Sequence, residues 1–271
     1  MNYHSDEWIM ARVKEHYEEA LEYFPEDRIV CIILQGSQNY GLDYEGSDID
    51  TKLIVTPTFK DIAMNRQAVS TTHIRENDEH IDFKDIRLYI QTFRKQNLNF
   101  LEILFSKYKI INPMYEQQWN RLIEAREAIA HYNPVQSIKS MRGIAKEKYF
   151  AMEHHYPSRM EWINKFQYDP KQTHHLLRVE EYLERYINGE SYEDCLISKQ
   201  SEYLKKVKTG AAFTLDEARI AADKAINHID EMCDKFLEGT YEVDNEVDAL
   251  LDDVQYKIME IAIKKELKEQ V

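Results

Sequence analysis

The chain is predicted to be an α+β protein: a small mixed β-sheet flanked by helices over residues 1–112, then an all-helical half over 113–271. Three observations predict it. Ile29-Val30-Cys31-Ile32-Ile33-Leu34 is a short, wholly apolar, β-branched run, as a buried central strand requires. Segment 79–84 alternates polar and apolar residues over His80 to Lys84, the period of a half-buried strand, and 48–56 is a second strand-like segment ending in the apolar Leu53-Ile54-Val55 before Thr56-Pro57. Beyond about residue 114 the apolar residues recur with helical spacing, and the whole chain has only 7 glycines and 6 prolines to interrupt it.

Taken in order, Asp6 to about Phe24 predicts an amphipathic helix with Trp8, Ile9, Val13, Tyr17, Ala20 and Leu21 on one stripe, stopped by Pro25. Strands follow at 29–35, 48–56 and 79–84, the second ended by Thr56-Pro57. Residues 57–78, with the polar Thr71-Thr72-His73, are expected to form a short helix and a loop. Ile86 to about Lys95 and Phe100 to Phe105 read as helices, and a soft boundary falls at Asn112-Pro113. The second half predicts helices at 114–130, 135–155, 171–188, 214–238 and 244–268. Thr214-Leu215-Asp216-Glu217 has the capping-box pattern, Gly239 suits a stop, and Asn133-Pro134 suits a helix start.

The chemistry concentrates between the first two strands. Gly36 admits backbone angles closed to other residues and lets a ligand approach the main chain. Ser37 and, further on, Ser47 add small hydroxyls. Alternation puts Asp48, Asp50 and Lys52 on one face of the second strand and Ile49, Leu53 and Val55 on the other. Two neighbouring carboxylates repel, and a cation relieves that repulsion. Hard oxygen ligands suit magnesium, with manganese as an alternative. On the third strand, Ile81 and Phe83 face one way and Asp82 the other, so Asp82 is placed to join the pair, and to complete a two-magnesium site, if the strands are neighbours. Asp85 competes for that role but suits the N-cap of the helix from Ile86. Asp43 and Glu45 are expected to be solvated loop charges. For the two aspartates alone, a hairpin with a solvated acid pair would be the favoured reading.

Gly36-Ser37, Tyr40-Gly41 and Ser47-Asp48-Ile49-Asp50, spaced GS-x2-YG-x5-SDxD, together resemble the motif of the DNA polymerase β-like nucleotidyltransferase superfamily, in the form found in a predicted nucleotidyltransferase group of bacteria and phages. Asn99 to Ser106 looks like the segment after that group's third carboxylate. Tyr168-Asp169-Pro170-Lys171, His175 and Arg178 look like its D-x-K-x3-H-x2-R helix. Motif-level similarity thus spans roughly residues 30 to 190. The resemblance implies a metal-dependent nucleotidyltransferase, with Asp48, Asp50 and Asp82 as catalytic metal ligands and Gly36, Ser37, Ser47, Lys171, His175 and Arg178 at the nucleotide. It implies an NTP substrate and leaves the acceptor open among a protein hydroxyl, an RNA end and a small molecule. Lys171, His175 and Arg178 stand at i, i+4 and i+7, on one helix face; a surface stripe paired with Glu180, Glu181 and Glu184 is the alternative. His174 points elsewhere. Lys146 and Lys148 are further candidates to face the substrate. Tyr168 and Asp169 suit either the start of the helix or contact with a base.

A formal net charge of −14 disfavours nonspecific nucleic-acid binding, which needs basic surface. Cys31, Cys195 and Cys233 are widely spaced, without metal-ligand spacing, and suit reduced thiols in a cytoplasmic compartment, the host's if the chain is phage-encoded. No signal peptide is read in Met1–Glu7, and no run is apolar enough to span a membrane. Two other classes stay open: a non-catalytic nucleotide-binding module, and a toxin-like or ribonuclease role resting on the R-x4-H spacing of Arg126 and His131. The second is the weaker, because one arginine and one histidine at that spacing arise readily by chance.

Overall fold

The computed structural model describes residues 2–269. In chain order the main elements are α1 (Asp6–Ala20), β1 (Ile29–Gln35), β2 (Asp50–Val55), α2 (Phe59–Ala63), β3 (Ser70–Ile74), β4 (His80–Asp85), α3 (Ile86–Arg94), α4 (Leu98–Leu101), β5 (Lys109–Ile111), α5 (Glu116–Glu124), α6 (Arg126–His131), α7 (Pro134–Ala151), α8 (Met160–Phe166), α9 (Pro170–Ile187), α10 (Tyr192–Leu196), α11 (Ser201–Lys208), α12 (Leu215–Leu237) and α13 (Asn245–Glu269). The class is α+β, with a mixed sheet followed by a largely helical C-terminal half.

The chain divides into two compact units. The first comprises Met1–Asn39, Asp43–Tyr132 and Val243–Val271; the second comprises Tyr40–Leu42 and Asn133–Glu242. In the first, five strands run in the order β3-β4-β2-β1-β5. Only β2 and β4 are parallel; the other pairs are antiparallel. Ile29 to Leu34 of β1 are fully buried, which fits an apolar run paired on both edges. One sheet face packs on α1: Ile9 and Val13 join Ile32, Leu34, Leu53, Val55, Ile81 and Phe83 in one cluster. Each such side chain contributes roughly 1.5–3 kcal/mol of burial.

Ser5 caps α1 by accepting from Trp8 N, and its inner stripe is Ile9, Val13, His16 and Ala20. Trp8 and Leu21, expected on that stripe, are substantially exposed. Residues 57–78 contain the short helix α2 and, instead of a loop, the edge strand β3. The Asn112-Pro113 position lies inside the first unit: Asn112 Nδ2 donates to Glu26 O at 2.8 Å and Tyr115 Oη to Asp27 O at 2.5 Å. The last helix also belongs to this unit. Val247, Leu251, Val254 and Ile258 form its buried stripe, and its acids Asp248 and Asp253 receive Arg94 and Arg121.

The second unit is built on α7, α9 and α12, with α11 beside α9. The expected capping box at Thr214 and Glu217 opens α12. The short helices α8, α10 and α11 were not legible as separate elements. Among the described residues no helix is long and apolar enough to cross a membrane.

Candidate active site

β1 ends at Gln35, and Gly36 turns the chain with φ +106°, a region L-residues rarely adopt. Ser37–Asn39 then form a single 3-10 turn. Side chains knit this turn to its surroundings. Asn39 Nδ2 donates to Leu34 O at 2.9 Å, and buried Gln38 donates through Nε2 to the Asp48 carbonyl at 2.7 Å. The turn that carries Gly36 and Ser37 is thereby fastened to the start of the aspartate pair. Gln38 gave no chemical signal in the sequence, since its role depends on a contact ten residues away.

Ile49 is fully buried, and it separates exposed Asp48 from half-exposed Asp50. The cross-strand register sets two polar rows on one sheet face. Gln35 pairs with Asp50 and Asp50 with His80; Lys52 pairs with Asp82 and Asp82 with Thr72. A cavity of about 290 Å³ opens here, lined by Gln35, Asp50, Thr51, Thr72, His80 and Asp82. His80 Nδ1 lies 3.1 Å from Asp50 Oδ1. Asp82 receives Lys52 on one carboxylate oxygen and the Thr72 hydroxyl on the other. Burial works against the charged form of Asp82, but Lys52 and Thr72 outweigh it and hold the carboxyl below its ordinary range. Lys52 is almost fully buried, with Nζ 4.7 Å from the centre of the Phe100 ring.

Asp85 does not share this cavity. It is buried, caps α3 by accepting from Arg87 N, and forms a two-pronged pair with the Arg87 guanidinium. Asp43, expected as a solvated charge, is buried instead. Its Oδ2 accepts from the backbone N–H groups of Tyr3 and His4 at 3.0 and 3.2 Å. Ser47 closes the loop on itself, its Oγ accepting from Tyr44 N at 3.0 Å. His131 Nδ1 contacts the Glu127 carbonyl at 2.9 Å, and Arg126 lies i−5 to it, about 140° away around the helix.

In the second unit, Lys171, His175 and Arg178 share one face of α9. The Arg178 guanidinium is buried and stacks 3.6 Å above the centre of the Tyr40 ring. Leu42, from the same motif loop, packs with Leu204, and Lys208 donates to its carbonyl at 3.1 Å. Burial, then His174, Lys171 and Arg178, push the His175 imidazole well below its ordinary range. His174 is buried against the Leu204 carbonyl at 2.9 Å. Glu180 pairs with His228, and Glu181 engages Ser198 and Arg185. Asp169 is the buried N-cap of α9, held by Arg159 at 2.8 and 2.9 Å, and Tyr168 donates to Phe213 O. Both therefore have structural roles. Lys146 pairs with Asp230 and Lys148 with Glu147.

The donor chemistry of Asp48, Asp50 and Asp82 suits a hard cation such as magnesium. Among the described residues, however, no three His, Cys, Asp or Glu side chains already converge in a way that could hold a metal ion. Asp48 is exposed, Asp50 stands beside His80, and both oxygens of Asp82 have protein donors.

Several solved structures align with the chain. A nucleotidyltransferase-like protein from Exiguobacterium sibiricum 255-15 aligns with 9% identity and a TM-score of 0.32, over 83% of this chain and 75% of that one. No family model matches the chain, and no curated protein matches it.

Proposed function

We propose that the protein is a metal-dependent nucleotidyltransferase that moves a nucleoside monophosphate from an NTP to an acceptor hydroxyl. The observation that carries this reading is the cavity shared by Asp50 and Asp82, on adjacent parallel strands, beside the Gly36 turn. Asp48 and Asp50 hold magnesium, or manganese in its place. When bound, the cation neutralises triphosphate charge and supports departure of pyrophosphate. Gly36 and Ser37 take the β- and γ-phosphates, with Ser47 shaping the loop beside them. Asp82 takes the acceptor side. The acceptor oxygen bonds to the α-phosphorus, and its proton passes to Asp82 and on to water. The bond from the α-phosphorus to the bridging oxygen breaks with its electron pair, releasing pyrophosphate. Lys171, His175 and Arg178 are phosphate-binding side chains of the second unit. The acceptor is a protein hydroxyl, an RNA end or a small molecule. Three buried thiols support a reducing, cytoplasmic setting.

The test is pyrophosphate release and label transfer from each α-labelled NTP with magnesium or manganese, using cell extract as acceptor source. Label on an acceptor with wild type, and none with the Asp48→Asn/Asp50→Asn double variant, is expected. Full activity in that variant overturns the assignment. Metal-dependent NTP binding without transfer to any acceptor favours the binding-module reading.

A further inference from the structure

We infer that residues 2–4 form a strap that orders the turn at Gly36-Ser37, and that Asp43 is the positioning residue that fastens it. The inference rests on the nucleotidyltransferase reading and adds to it a determinant of nucleotide affinity. Three observations carry it, all within the first unit. First, Asp43 Oδ2 accepts from two successive backbone N–H groups, Tyr3 N at 3.0 Å and His4 N at 3.2 Å. Second, Asn2 Nδ2 donates to the Gln38 carbonyl at 2.8 Å and to Tyr108 Oη at 3.1 Å. Gln38 carries that restraint onward, since its own Nε2 donates to the Asp48 carbonyl at 2.7 Å. Third, the two anchor points are closed to water: Asp43 is 1% exposed and Gln38 2%.

Burial makes the strap and the turn move together. Among the described residues no cationic side chain pairs with Asp43, and its Oδ1 atom is buried without a hydrogen-bond partner. The two N–H groups of the strap are what compensates this carboxylate. A buried polar group that loses its donors is costly, so release of the strap requires residue 43 to turn out to water. The same release frees the Gln38 carbonyl from Asn2. The strap has little hold of its own beyond these bonds. Tyr3 is 58% exposed, and the His4 ring stacks on the Trp8 ring of α1, with centroids 4.0 Å apart. The pair of states is therefore a fastened strap with an ordered turn, and a released strap with a loose one. A nucleotide held at Gly36 and Ser37 selects the fastened state. Linkage makes the effect reciprocal: fastening raises nucleotide affinity by the factor through which bound nucleotide opposes release.

The experiment measures amide hydrogen exchange at Tyr3 and His4 in the intact chain by nuclear magnetic resonance. Spectra are compared with and without a saturating nonhydrolysable α,β-methylene NTP analogue and magnesium, for each common base; calorimetry gives the analogue's affinity. In wild type, the bound analogue is expected to slow exchange at both amides by about tenfold. Asp43→Ala, which removes the acceptor, is expected to weaken the analogue by a similar factor and to abolish the slowing. Asn2→Ala is expected to shift affinity in the same direction by less, and it replaces Asp43→Ala if that variant does not fold. A purely structural role for Asp43 would lower stability without making Tyr3 and His4 exchange respond to nucleotide. Equal exchange in free and analogue-bound wild type, or wild-type affinity in a folded Asp43→Ala, overturns the inference and leaves the nucleotidyltransferase reading standing. No binding of the analogue with any base overturns both.

Discussion

His16 on α1 and Glu79 at the start of β4 meet inside the first unit, with Nε2 2.9 Å from Oε2. The other imidazole nitrogen lies 3.0 Å from the Thr51 hydroxyl, between Asp50 and Lys52. Arg12 and Arg75 also engage Glu79. The helix is thus fastened to β2, between Asp50 and Lys52, and to the residue that precedes β4.

This network predicts an acid-sensitive fold. Burial pushes the Glu79 carboxyl up, but His16, Arg12 and Asn77 outweigh it and bring it from 4.5 down to about 2. A depressed carboxyl stabilises the folded state above its unfolded pKa, and the gain is lost as pH falls through the folded one. Unfolding free energy should therefore drop between about pH 5 and pH 2, by on the order of 3 kcal/mol. Denaturant titrations across that range test it. Glu79→Gln should flatten this limb and destabilise the protein by a similar amount at pH 7; an unchanged limb in the variant would assign the acid sensitivity elsewhere.

Gln38 predicts a coupling between the turn at Gly36-Ser37 and the aspartate pair. Replacing it with leucine keeps the bulk and leaves the Asp48 carbonyl without its donor. The expected cost is about 1–3 kcal/mol of stability. Transfer should fall further than stability does, because Asp48 loses its fixed position. Thermal melts and steady-state kinetics on Gln38→Leu separate the two effects; equal activity per folded molecule would reject the coupling.

The central strands, and the sheet face that carries Asp50, Lys52 and Asp82, were legible in the sequence; what depends on distant pairing was not. The run from Ile29 to Leu34 is legible because a strand buried on both faces has no polar residues to hide. β4 is legible through its alternation of Ile81, Asp82, Phe83 and Lys84. β3 is an exposed edge of Ser70, Thr71, Thr72 and His73, so no apolar period marks it. β5 is three residues long, too short for any period. Lys52 was placed on the aspartate face, but its pairing with Asp82 follows from a parallel register that no local signal fixes. Asp43 looked like an ordinary loop acid because its partners, the N–H groups of Tyr3 and His4, lie about forty residues away. Nothing in the pattern of α13 shows that it packs with the first unit.

Gly36 predicts a backbone test. A Cβ there would meet only the Gln38 Oε1 atom, at 3.7 Å, so the obstacle is conformation and not space. At φ +106° an alanine is strained. Gly36→Ala should lose about 1–2 kcal/mol of stability and bind NTP more weakly, as the turn shifts to relieve the strain. Calorimetric binding with a nonhydrolysable NTP analogue reads this directly. Gly143→Ala, in the middle of a helix with open space at its Cβ, is the control and should be neutral or stabilising.

Asp169 predicts the fragile point of the second unit. Its fully buried carboxylate caps α9 and holds Arg159 through both oxygens. Asp169→Ala removes the cap and the carboxylate that holds Arg159, at an expected cost of about 1–3 kcal/mol. Limited proteolysis should then cut preferentially within residues 133–242. A cleavage pattern identical to wild type would mean that packing alone holds the start of the helix.

Asp48 and Asp50 predict a separation of activity from stability. Asp48 is exposed, and removing one negative charge from a chain of net charge −14 relieves repulsion. Asp48→Asn should therefore melt no lower than wild type, yet lose transfer by about 10²–10³-fold through weaker charge stabilisation at the triphosphate. Asp50→Asn should lose at least as much, since Asp50 lines the cavity. Glu45→Gln supplies the comparison: an exposed acid of the same loop, outside the strand alternation that aligns Asp48 with Asp50. It should leave both melting and transfer at wild-type levels. A loss of transfer in Glu45→Gln equal to that in Asp48→Asn would show that the loop's overall charge matters and that the paired positions do not.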